Sequence, residues 1–171
     1  MAETHLRITE AAIELHGTVG PSRTTMSAVA ERAGVERRTL YRHFPNEAAL
    51  FEACSEHYFD ANPWPDLGPW RAIRDPQQRL ERALDELYAY YERNEPMFSN
   101  VLRDSELVEV ARDAVAPLRA YLEDAAEILA AGRSARGRRR QLLEGALHHA
   151  LAFSTWHSLT ANGIGRSDAA K

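Results

Sequence analysis

Residues 24–44 leave the chain few ways to fold. They read Thr-Thr-Met-Ser-Ala-Val-Ala-Glu-Arg-Ala-Gly-Val-Glu-Arg-Arg-Thr-Leu-Tyr-Arg-His-Phe. Thr25 is a good N-cap, because its hydroxyl accepts one of the backbone N–H groups that a helix start leaves unpaired. Val29, Ala30 and Ala33 then give a narrow apolar face. Gly34 supplies the left-handed residue that ends a helix, and Val35 plugs the turn. A second helix is predicted to about Phe44. Leu40 and Phe44 lie four apart and share its inner face. Arg37, Arg38, Thr39, Tyr41, Arg42 and His43 are left to point elsewhere. Two short helices, a glycine turn and a polar outer face make a helix-turn-helix, whose second helix enters the DNA major groove. Residues at its start reach base edges, so Arg37, Arg38 and Thr39 are expected to read sequence. Thr25, Tyr41 and His43 are expected on phosphates, and Arg42 on either.

Flanking patterns complete the unit. Thr4 to about Gly17 carries Ile8, Ala12 and Leu15 at helical spacing. Pro45 stops the second helix, and Asn46 caps a fourth, with Leu50, Ala53, Cys54 and His57 on one face. Ala33-Gly34-Val35, Thr39-Leu40-Tyr41-Arg42-His43-Phe44-Pro45-Asn46 and Ala49-Leu50-Phe51 resemble the TetR family of transcriptional regulators over roughly residues 8–58. The resemblance implies an all-α chain: a three-helix DNA-binding unit, residues 1–55, then a helical ligand-binding and dimerisation domain, residues 56–171. It also implies a repressor released when a ligand shifts the fourth helix and changes the spacing of two reading heads. Four positions depart from the family pattern. Glu36 stands where Ser or Thr usually caps the recognition helix, and Arg38 replaces a small residue. Glu47 stands where Lys is frequent, and His16 where Phe is preferred.

The net charge of −4 looks wrong for a DNA binder until its distribution is read. Residues 21–44 hold five Arg against two Glu, a net +3, so the remainder is −7. A basic patch on an acidic body suits an oriented reader. The lone cysteine, Cys54, excludes an internal disulfide and fits a reducing cytoplasm. No stretch approaches about 18 apolar residues and no apolar run follows a basic start, so neither membrane span nor signal peptide is expected. All but one of the basic residues are Arg, as in a GC-rich bacterial gene.

The remaining chain reads as helices between breaks. Residues 62–70 hold three prolines and a glycine and are expected not to be helical. Asp75-Pro76 opens a helix ended by Asn94 and Pro96, and residues 97–102 form a short separate segment. Ser105 opens another helix to Gly132, with a break near Val115 forced by Pro117. Residues 132–140 hold five Arg and read as a solvated loop or a second nucleic-acid contact. Arg140 to about Asn162 is apolar on more than one face. A helix of that kind needs more cover than its own domain supplies. That places a homodimer interface there, at Leu143, Leu147 and Leu151.

Tyr88, Tyr91, Phe98, Tyr121, Phe153 and Trp156 lie on helices expected to converge around a small organic effector, with His149 and His157 as polar groups. Adjacent His148 and His149 diverge by about 100° and cannot chelate together. No phosphate loop, cysteine pair or nucleophile elbow appears, so no catalytic residue, metal or cofactor is expected. The expected partners are palindromic double-stranded operator DNA, an effector and a second copy. The rival reading is a helical interaction protein that has lost DNA binding, motivated by Glu36 and Glu47.

Overall fold

The structure is a computed structural model and describes residues 2–171. Among them all regular structure is helical: α1 (Ala2–Thr18), a 3₁₀ turn (Pro21–Arg23), α2 (Met26–Arg32), α3 (Arg37–His43), α4 (Glu47–Ala61), α5 (Leu67–Ala72), α6 (Pro76–Asp104), α7 (Glu109–Ala114), α8 (Ala116–Ala130), α9 (Arg138–Leu151), α10 (Phe153–Ala161) and α11 (Arg166–Ala169). Two compact units result. One takes the chain up to Pro63 together with Glu95–Ala116, and the other takes Trp64–Asn94 and Pro117–Lys171. The boundary expected at residues 55/56 falls inside α4, and α6 contributes to both units.

In the first unit Ile8, Ala12, Val29 and Leu40 are fully buried, with Met26, Ala30, Phe44, Leu50 and Cys54 packed around them. Burying each large side chain contributes about 1.5–3 kcal/mol. His57 lies outside this core, and Phe51 takes the buried place on α4. In the second unit Trp70, Leu87, Tyr90, Tyr91, Leu129 and Leu151 make the centre. Arg79 is buried with them and donates to Ile128 O (2.6 Å) and Ala131 O (2.8 Å), the carbonyls left over where α8 ends.

Several expected breaks moved. Leu67–Ala72 is helical despite Gly68 and Pro69: Asp66 caps it through Gly68 N–H, and the proline sits in the first turn, where no N–H is needed. Asn94 and Pro96 do not end α6, which also absorbs residues 97–102. Tyr90 and Tyr91 before the proline, and Phe98 after it, are each buried. Their burial outweighs the roughly 3 kcal/mol of an internal proline. Residues 105–108 form a turn, and the helix expected from Ser105 begins at Glu109. The break near Val115 is present.

The helix expected from 140 to 162 is two helices. Ala152 adopts an extended ψ of 136° between α9 and α10. An extended residue would strand the last carbonyls of α9, and those of residues 149–151 find donors. Ala152 N–H bonds His149 O, as does the Thr155 hydroxyl. Tyr88 and Tyr91 hydroxyls donate to Ala150 O (2.8 Å) and Leu151 O (2.7 Å). The break re-aims the apolar face, so the excess apolar surface read from the sequence is largely internal. Leu147 and Leu151 are buried in their own unit and have no surface to offer a second copy. Leu143 is half-buried, while Leu142 is 64% exposed.

Candidate nucleic-acid interface

The recognition helix is aimed by what surrounds it. Thr25 accepts from Ala28 N–H (3.1 Å) and starts α2. That bond uses a lone pair, so the exposed hydroxyl keeps its own proton for a phosphate. At the other end Gly34 has φ +64°, Gly34 N–H reaches Glu31 O and Val35 N–H reaches Ala30 O. This is a Schellman closure, which needs glycine at that residue. The Arg7 guanidinium donates to Ala33 O, adding a cation at the C-terminal end of α2.

On α3, Leu40 is fully buried and Phe44, just past its end, is 2% exposed. With those two fixed inward, Arg37, Arg38, Tyr41 and Arg42 are exposed, and Thr39 and His43 are half-exposed. The Arg37 guanidinium lies 6.0 Å from the Tyr41 ring centroid, one turn on. Glu36 precedes the helix but makes no side-chain capping bond. Arg32 is ion-paired with Glu14 of α1 and leaves the set of free cations. All seven residues expected to bind DNA thus lie on this unit and keep some exposure.

Residues missed from the sequence support the head. His5 packs on Phe44 (4.4 Å) and edge-on to His43 (6.0 Å). Partial desolvation, then Arg42, then His5 hold His43 below the usual imidazole range. The loop between α1 and α2 is gripped by the end of α6. Asp104, 1% exposed, accepts Ser22 N–H (2.8 Å) and the Arg103 guanidinium (2.7 Å), and Asn100 donates to Gly17 O (2.9 Å). Burial alone would raise the Asp104 carboxyl; the bonds to Arg103 and Ser22 more than offset it and hold the group low. Gly20 passes so close that a Cβ there would overlap Arg103 and Asp104.

His16 is buried and stacked on Phe51 (4.6 Å). Desolvation lowers its pKa to about 4, against an opposing pull from Asp104. It lines a hollow of about 30 Å³, room for one water, together with Thr25 and Glu47. Glu47 thus lines the same hollow as a residue expected on phosphate.

The residues expected around an effector divide. Phe98 belongs to the first unit. In the second, Tyr121 packs on Trp64 (4.9 Å) and donates to Pro65 O. Tyr91, Phe153 and Trp156 form one cluster, with ring centroids 5.4–6.0 Å apart; Tyr88 sits 6.4 Å from Tyr91, and His157 5.6 Å from Phe153. His149 lies next to Thr155 and is exposed. A half-open groove of about 750 Å³ lies elsewhere, between α8 and α9, lined by residues such as Ala126, Ala130, Leu143 and His148. No described helix is long and apolar enough to cross a membrane.

A capped first helix, a Schellman turn and a second helix with its guanidinium groups outward define a helix-turn-helix DNA reader. Residues 8–54 match the bacterial regulatory proteins of the tetR family. That match covers the reading head of this chain. Among curated relatives it is 34% identical over 80 residues to the nucleoid occlusion factor SlmA of Vibrio vulnificus (strain YJ016), covering 47% of this chain and 41% of that one. It is 34% identical over 77 residues to the HTH-type transcriptional regulator SrpR of Pseudomonas putida, covering 42% and 36%. The chain spans about half the length of the curated relatives it matches, or less. A TetR-like transcriptional regulator from Rhodococcus sp. RHA1 shares the fold over 99% of this chain and 91% of that one, with TM-score 0.69 and 20% identity. A tetR-family regulator from Streptomyces coelicolor does so over 99% and 76%, with TM-score 0.64 and 18% identity.

Proposed function

We propose that this chain is a homodimeric transcriptional repressor that leaves its palindromic operator when a small organic effector binds the second unit. The observation that carries the reading is the outward face of α3. Arg37, Arg38 and Arg42 are presented while Leu40 and Phe44 hold the helix from behind. Arg37 and Arg38, with Thr39, read base edges. Thr25, Tyr41 and His43 bond phosphates, and Arg42 serves either. A two-fold dimer sets two such helices one turn of DNA apart, about 34–36 Å. The exposed face of α9, Leu142 with Gly145, Ala146 and His149 at helical spacing, suits a second copy better than the buried leucines.

The test starts from a random duplex pool. Sequences enriched by the protein should be palindromic, and Arg37→Ala with Arg38→Ala should abolish the enrichment. Recovery of unrelated sequences by both proteins would reject the reading. A second reading is a DNA-binding factor with no effector. The name of the SlmA relatives and the ring-on-ring packing of the aromatic cluster favour it. Operator affinity that no small organic compound changes would select it.

A further inference from the structure

Trp156, in the second unit, carries a buried polar atom. Trp156 is 4% exposed, and its Nε1 is buried without an acceptor among the described residues. A buried donor left unpaired destabilises the fold, and such groups are few in native proteins. His149 O, Ala150 O and Leu151 O, freed by the break at Ala152, are taken by Thr155, Tyr88 and Tyr91. Trp70 shows the contrast, since its Nε1 donates to Glu86 at 2.6 Å. The Trp156 indole meets Tyr91 and Phe153 at tilted angles, with centroids 6.0 and 5.4 Å away. His157, also against Phe153, is exposed and marks where the cluster reaches solvent.

We propose that Trp156 Nε1 is the recognition donor of the effector site, and that the ligand is a neutral planar molecule carrying a hydrogen-bond acceptor such as a carbonyl oxygen. This rests on the effector reading above and names the chemistry of that site. The aromatic rings supply apolar contact for the ligand body, and the indole N–H supplies the single directional bond. A ligand of the same shape without an acceptor leaves the N–H unpaired and binds worse.

A matched pair of probes tests this: acetophenone and α-methylstyrene, which differ by a carbonyl against a methylene. Both are titrated into the intact protein while the three indole N–H signals are followed by NMR. Trp156→Phe assigns the Trp156 signal, and Trp70 serves as the bonded reference. The Trp156 signal should start upfield of Trp70 and move downfield with acetophenone alone. Acetophenone should bind about tenfold tighter than α-methylstyrene, the size of one modest hydrogen bond. In Trp156→Phe the ratio should fall to about one. Equal binding of the pair by the wild type would overturn the assignment. So would a free protein whose Trp156 signal already matches Trp70, as an internal water would produce, or shifts centred on His148 and Leu143 of the groove. The comparison of the two probes on the wild type needs no folded variant. If the carbonyl preference holds while operator affinity stays unchanged, the assignment stands and effector release of DNA falls instead.

Discussion

Leu40 and Arg38 are two residues apart on α3 and have opposite fates, one fully buried and one exposed. Their division sets the first expectation. Arg38→Ala should cost about 1–3 kcal/mol of operator affinity and relax preference at one base pair, as loss of a bidentate guanine contact does. Tyr41→Phe should weaken every duplex about equally. Anisotropy titrations against the operator and single-base variants separate the two patterns. Glu47 is exposed and lines the same hollow as Thr25, which is proposed to bond a phosphate. Glu47→Lys should tighten binding to any duplex and steepen log K against log salt by about 0.9; an unaltered slope would place residue 47 away from DNA. His16 makes folding pH-dependent. The unfolded imidazole takes a proton near its ordinary value of 6.5, while the folded one resists until about 4. Between those values the unfolded state holds more protons, so stability is full above 6.5 and is lost as pH falls towards 4. The loss is about 3 kcal/mol. Urea midpoints from pH 8 to 4 should show it, and His16→Phe, which keeps the stack on Phe51, should flatten this part of the curve.

At the scale of elements the informative feature is the break at Ala152. It exists because tyrosine hydroxyls on α6 pair the carbonyls that an extended residue strands. Tyr91→Phe should leave Leu151 O unpaired inside the unit and cost about 1–3 kcal/mol in urea unfolding. A loss below about 0.5 kcal/mol would mean water or backbone adjustment replaces the bond. Neither end of this arrangement is local, since Tyr91 and Leu151 are sixty residues apart. Pro96 teaches the same lesson in reverse. A proline that should end α6 is carried through by buried aromatic residues on each side.

For the whole molecule, the leucines of α9 separate folding from assembly. Leu142→Glu changes an exposed side chain and should give a folded monomer with weakened operator binding. Leu147→Glu places a charge in the core and should unfold the second unit instead. Sedimentation and circular dichroism on both variants check this. A Leu142→Glu protein that stays dimeric would move the interface to another face.

The amino-acid sequence alone determined the reading head. Thr25, Gly34, Leu40, Phe44, Pro45 and Asn46 act within a few residues of themselves, through caps, a left-handed turn and helical spacing, so their effects are local and additive. The outward set from Arg37 to His43 follows from that spacing. Only the tertiary structure decided the rest. Asp104 reaches Ser22 across 82 positions, Arg79 closes α8 from 49 positions away, and His5 meets Phe44. Leu147 and Leu151 turned inward, and Trp156 was left with a donor and no acceptor among the described residues. Hydrophobic period shows that a helix has an apolar face, but not which body covers it. A side chain's hydrogen-bond partner is set by which distant carbonyls the fold leaves free, and that is a property of the packed chain.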